Sequence, residues 1–182
     1  MSNWKIRQAV SALNQGKVIA YPTEAVYGLG CDPWHEHAVY SLLDLKDRPW
    51  QKGLILVAAN VRQLDEFIAP LDTGMAQQVF ASWPGPTTWI LPARKGVPSY
   101  LRGEHDTIAV RVTAHPQTVE LCRQFGGAIV STSANITGMR PAKSSREVQW
   151  QLPEIETVLS GSCGGADKPT QIKDGQTGDI LR

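Results

Sequence analysis

Four polar residues in two separated stretches carry the chemistry of this chain: Lys46 and Arg48 in DLKDRP, and Ser133 and Asn135 in IVSTSAN. A lysine binds phosphate as a compact charge and an arginine as a planar fork. Lys52 adds a third cation within seven residues, just ahead of an apolar run. Three converging cations suit a polyphosphate, although a lysine and an arginine at a helix exit also complement the helix dipole as solvated charges. STSAN offers the hydroxyls of Ser131, Thr132 and Ser133 and the amide of Asn135 at a strand end, suited either to phosphate or ribose oxygens or to an ordinary Ser/Asn turn. Arg111 stands in a strand of apolar and small residues, where a half-buried guanidinium needs an anionic partner. That partner is a ligand carboxylate or an internal Asp or Glu. PTEAVYGLG joins a rigid proline, the hydroxyl of Thr23, a carboxylate and two glycines at another strand end.

Other chemistries are poorly served. Pro33 occupies the third-glycine place that a dinucleotide-binding GxGxxG would need, and there is no GxxxxGK[ST] run, so ATP would bind without a Walker loop. His35 and His37 are two apart, which on a helix points them to opposite sides and away from a shared metal. No GxSxG elbow presents Ser131 or Ser133 as a nucleophile. Cys31, Cys122 and Cys163 lack the even count and spacing of a disulfide framework or a metal clip, consistent with reduced thiols.

The elements that must position these residues follow from apolar periodicity. The first 16 residues read as an amphipathic helix with Ile6, Val10 and Leu13 on one side. A short strand over 17–24 ends in Pro22, with the glycines of VYGLG as a following loop. Asp32 and Pro33 have the types of an N-cap and first helical residue for a helix carrying Val39, Leu42 and Leu43, ending before Pro49. Lys46 then falls in its last turn and Arg48 in the exit loop, both able to reach out of the core. GLILVAA over 53–59 reads as a strand buried on both faces. Helices are expected over 61–68 and 74–82, and a strand over 87–91. TIAVRVTAH alternates, so Thr107 and Arg111 share a face. His115 and Pro116 open a helix ending at Gly126 and Gly127, AIVSTS is the next strand, and Ser144 with Glu147 fits a capping box. TVLS follows, and TQIKD and DILR flank a GQTG turn as a final hairpin. The sum is a mixed α/β fold, one domain over 1–182, with a single twisted open mixed sheet flanked by helices.

At 182 residues and 42% hydrophobic content, the chain can build one substantial core. Its formal net charge of +1 gives no global basic field, so any tRNA or RNA contact must be local. The start lacks the long apolar stretch of a signal peptide, and no run approaches the roughly 20 apolar residues of a membrane span. The expectation is a cytoplasmic protein with no membrane association.

Taken in order, AYPTEAVYGLG, LLDLKDRP followed by KGLILVAA, WPGPTTWILPA, TIAVRVTAHP and IVSTSANITG resemble the YrdC/TsaC family of threonylcarbamoyl-adenylate synthases from about residue 5 to the C-terminus. The resemblance implies a concave, positively charged cavity and a reaction joining L-threonine, bicarbonate or CO2 and ATP, with Mg2+, to give threonylcarbamoyl-AMP and diphosphate. Partner proteins would then transfer the threonylcarbamoyl group to the tRNA adenosine beside the anticodon. Carried over by motif, Lys46, Arg48, Ser133 and Asn135 are the implied catalytic and ATP-binding set, with Lys52, Thr107, Ser131 and Arg182 as further ATP contacts. Thr23, Arg111 and Thr170 are the implied threonine contacts. No metal ligand and no tightly bound cofactor is implied. Where two-domain relatives carry a histidine after the KxR pair, this chain has Val57, as in the short bacterial branch. Two other functions use the same features: a double-stranded-RNA-binding maturation module on the positive concavity, and a carbamoyltransferase acting from carbamoyl phosphate.

Overall fold

The computed structural model describes residues 3–166 and 170–181. Eight strands form one mixed sheet: β1 (Ile19–Pro22), β2 (Tyr27–Gly30), β3 (Ile55–Ala58), β4 (Thr87–Pro92), β5 (Thr107–Val112), β6 (Ile129–Ser133), β7 (Thr157–Val158) and β8 (Gln171–Asp174). Their spatial order is β7-β1-β2-β6-β3-β5-β4-β8, parallel only at β7–β1, β3–β5 and β4–β8. The helices are α1 (Asn3–Asn14), α2 (Glu36–Leu45), α3 (Thr73–Ala81), α4 (Ser99–Arg102), α5 (Pro116–Phe125) and α6 (Ser145–Gln151). Among the described residues no helix is long and apolar enough to cross a membrane.

The two faces of the sheet are covered unequally. On one, Leu29, Leu56, Ile108 and Val110 pack with Val39, Leu42 and Leu43 of α2 in the larger core. On the other, α1 and α5 bring Ile6, Leu13 and Leu121 onto Tyr21, Ile129 and Ala59. Strand register shows where that second cover stops. Ile129, Val57 and Arg111 lie side by side across β6, β3 and β5, and the next row on the same face is Ser131, Ile55, Ala109 and, on β4, Ile90. The first row is buried, whereas the second forms the floor of a cleft.

Several elements depart from the sequence expectations. Tyr27–Gly30 is a fully buried strand rather than a loop. The glycines serve close packing: a Cβ on Gly30 would stand 2.4 Å from the Val130 carbonyl oxygen and 2.9 Å from the Tyr21 ring. Asp32 and Pro33 do not open α2. Asp32 Oδ1 accepts from Trp34 N in a preceding turn, and His35 is the N-cap, its Nδ1 accepting from Ala38 N. The expected helix over 61–68 is a 3-10 turn, Val61–Leu64, because Ile68 leaves it to bridge Ala93 in extended pairing. The final hairpin forms in part: β8 runs parallel to β4, while Asp174 N donates to Asp179 O and Leu181 N to Ile172 O across the GQTG turn.

The α5 expectation holds closely and the capping box in part. His115 caps α5 with Pro116 following, and the helix ends at Gly126. Ser144 Oγ accepts from Glu147 N, while Glu147 returns to Lys143 N rather than to Ser144. Val57 is fully buried between its strand neighbours and outside the cleft lining.

Candidate active site

The uncovered part of the sheet opens into a cleft of about 510 Å³, within the usual range for small-molecule sites. Each predicted site residue within the described chain lines it: Lys46, Arg48, Lys52, Thr107, Ser131, Ser133 and Asn135 on the nucleotide side of the prediction, and Thr23, Arg111 and Thr170 on the amino-acid side. Arg182 lies outside the described residues. Strand ends and strand faces thus gather residues that are 147 positions apart in sequence, from Thr23 to Thr170.

Lys46 does not reach out of the core. It is the C-cap of α2 and 3% exposed, and its Nζ donates to Ser133 O at 2.6 Å and Asn135 O at 2.7 Å, with Asn135 Oδ1 at 3.4 Å. Burial, and then the charge of Arg48, lowers its ammonium from 10.5 to about 8. Ser133 Oγ donates to Asn135 Oδ1 at 2.6 Å, and Asn135 Nδ2 donates to Ile136 O and Met139 O. The lysine and the Ser-x-Asn stretch are therefore one hydrogen-bonded unit that shapes the loop over 134–142. Thr137, also on the cleft wall, ties that loop to α2 by donating to Lys46 O at 2.6 Å.

Arg48 leaves the helix end and its Nη2 donates to Gly53 O at 2.8 Å. Arg102 and His105, which no motif in the sequence marks, line the same wall. Their loop presses on the Trp50–Lys52 turn: Gly103 has φ +69°, and a Cβ there would fall 2.1 Å from Gln51 O. Lys52 and Arg102 are thus on touching loops. RGEH has no spacing that could have marked Arg102.

Thr23 and Arg111 belong to a buried polar layer. Of the two partners open to Arg111, the structure supplies the internal one: Arg111 Nη2 lies 3.3 Å from Glu24 Oε2. Glu24 Oε1 accepts from Thr113 Oγ1 at 2.6 Å. Thr23 Oγ1 donates to Val26 O at 2.7 Å, leaving its lone pairs for a donor in the cleft. Tyr21 Oη donates to Ser131 Oγ at 2.8 Å. Burial pushes the Tyr21 phenol upward, so it stays a donor and turns the Ser131 hydroxyl proton toward another acceptor. Glu24 was visible in PTE as a carboxylate, but its pairing with a residue 87 positions later is a tertiary fact.

A model of the Sua5/YciO/YrdC family, described as Telomere recombination, matches residues 11–182. The chain belongs to the Sua5/YciO/YrdC family. It is 51% identical over 183 residues to the threonylcarbamoyl-AMP synthase of Methylococcus capsulatus, covering 100% of this chain and 98% of that one. Among solved structures it is similar to P. abyssi Sua5 complexed with L-threonine, with a TM-score of 0.89 and 32% identity, covering 96% of this chain and 52% of that longer one. It is also similar to E. coli YciO, with a TM-score of 0.85 and 26% identity, covering 100% and 89% of the two chains. Within this family frame the cleft of the present chain has five basic side chains on its walls, counting Lys46, Arg48, Lys52, Arg102 and Arg111. No Asp or Glu lines it among the described residues, so its donor set suits anions and offers no carboxylate to a resident divalent ion.

Proposed function

We propose that this family member is a threonylcarbamoyl-AMP synthase, joining L-threonine, bicarbonate or CO2 and ATP to give threonylcarbamoyl-AMP and diphosphate for tRNA modification. The observation that carries the proposal is the convergence on one cleft of a cationic, hydroxyl-rich wall and the largely buried guanidinium of Arg111. The roughly 50% identity to a synthase of that name over the full length supports the same reaction.

The proposed division of labour is supported by the placement of these residues around the cleft. The triphosphate lies along Arg48, Lys52 and the Lys46–Ser133–Asn135 unit, and enters as Mg-ATP, the ion being carried by the phosphates. Threonine places its carboxylate on Arg111 and its hydroxyl or amine near Thr23. The amine adds to carbon of CO2, or of bicarbonate with loss of water, giving an N-carboxylate. One oxygen of that carbamate attacks the α-phosphorus in line, and diphosphate leaves without a covalent enzyme intermediate. A carbamate is short-lived in water, so a cleft holding it beside ATP speeds capture by proximity. Charge developing on phosphoryl oxygens is stabilised by fixed donors, which is what the clamped Lys46 and the Arg48 fork provide. Thr107, Ser131, Thr170 and Arg182 complete the proposed contacts, the first two to ATP, Thr170 to threonine and Arg182 to ATP. Handover to tRNA-modifying partner proteins in the cytoplasm follows on this reading.

Two substitutions test the division. Lys46→Ala is expected to weaken Mg-ATP at least tenfold with little change in threonine KM, and Arg111→Ala to do the reverse. Arg111→Ala weakening ATP alone would overturn the assignment.

A further inference from the structure

Glu24 is a buried carboxylate that the mechanism does not use. Its side chain is 11% exposed and that of Arg111 5%, and Arg111 lines the cleft whereas Glu24 does not. The pair is incomplete. Glu24 Oε2 stands 3.3 Å from Arg111 Nη2 without a formed hydrogen bond, and Arg111 Nε is buried with no acceptor. The guanidinium's donor capacity is therefore not exhausted by Glu24. The carboxylate is itself firmly placed. Thr113 Oγ1 holds Oε1, Ala166 N donates to Glu24 O at 3.0 Å, and Gly164 N donates to Thr23 O at 3.0 Å.

We infer that Glu24 is the resident counter-ion of Arg111 and, acting through it, sets the cleft's preference for a zwitterionic amino acid over a simple carboxylate; the inference rests on the proposed threonine site. Arg111 and Glu24 together are electrically neutral, with the positive end presented to the cleft. A zwitterion is neutral too: its carboxylate meets Arg111 while its ammonium lies within the field of Glu24. A simple carboxylate brings a negative charge and no ammonium, so the buried Glu24 repels it without compensation. Low-dielectric surroundings strengthen both effects. Neutralising Glu24 relieves the repulsion felt by either carboxylate but costs the zwitterion its ammonium attraction, so the simple carboxylate gains while the zwitterion changes little. Glu24 is a positioning and selectivity residue rather than one that touches substrate.

The test uses the full chain loaded with Mg2+ and the unreactive α,β-methylene analogue of ATP, without bicarbonate. L-threonine and 3-hydroxybutanoate, which is threonine lacking its amine, are titrated calorimetrically into wild type and Glu24→Gln. The ratio of the 3-hydroxybutanoate dissociation constant to that of L-threonine should fall at least tenfold in Glu24→Gln, chiefly through tighter 3-hydroxybutanoate binding. A smaller change overturns the inference, since a merely structural lesion weakens both ligands in parallel. Wild type that binds neither ligand contradicts the proposed threonine site itself, a different result from an unchanged ratio. Should Glu24→Gln fail to fold, Thr113→Val loosens the same carboxylate and should shift the ratio about threefold in the same direction, with Thr113→Ser returning it toward wild type. An unshifted ratio in Thr113→Val overturns the inference as well.

Discussion

The ammonium of Lys46 donates to two main-chain carbonyls of the Ser133–Asn135 stretch, and burial brings it to about 8, so its charge is sensitive to mildly alkaline conditions. A bound polyphosphate favours the charged form and raises that value again. Mg-ATP binding should therefore take up a fraction of a proton near pH 8 and weaken as pH rises through it. Calorimetry in buffers of different ionisation enthalpy measures this, and Lys46→Met should abolish the uptake. The sign for stability is opposite. Between about 8 and the ordinary 10.5 the unfolded chain binds more protons at this site, so the contribution of Lys46 to stability improves with rising pH across that window. Asn135 makes a related point, because its side chain is fully occupied by Ser133, Lys46, Ile136 O and Met139 O. Asn135→Ala leaves several buried groups unpaired and should cost about 2 kcal/mol in denaturant unfolding, along with ATP affinity. Lost ATP affinity at unchanged stability would instead indicate that Asn135 contacts the nucleotide directly.

Strand packing sets which positions tolerate change without any contact to substrate. Gly30→Ala is expected to destabilise the chain by about 3 kcal/mol, because its Cβ would meet the Val130 carbonyl at 2.4 Å, and thermal unfolding measures the loss. The same glycine shows what was hard to read in the sequence. YGLG has the composition of a loop, and only the neighbouring backbone of β6 explains why glycines form a buried strand there. The alternation of TIAVRV, by contrast, placed Thr107 and Arg111 on one face correctly, since period-two patterning is a local property. Residue type marked the KxR and SxN stretches as able to meet an anion while leaving a solvated helix end and an ordinary turn equally open. Their mutual hydrogen bonding is not legible there, because a helix-exit position suggests an outward-reaching Lys46 while its partners lie 87 and 89 positions away. Arg102 and the pairing of Glu24 with Arg111 were illegible for the same reason: each depends on a tertiary contact with a distant loop or strand.

At the scale of the whole molecule, the larger core packs against one sheet face, the α1 and α5 cover on the other reaches only to the Ile129–Val57–Arg111 row, and the row beyond it is the floor of the cleft. A surface used mainly to bind double-stranded RNA would give salt-sensitive affinity that survives loss of the Ser133 and Asn135 side chains. A synthase needs that cleft filled by ATP and an amino acid together. The most direct measurement is diphosphate release from Mg-ATP by the purified chain. Release should require both L-threonine and bicarbonate, and should fall at least tenfold in Lys46→Ala and in Arg111→Ala. No release with both substrates present, or release independent of threonine, would contradict the proposed reaction.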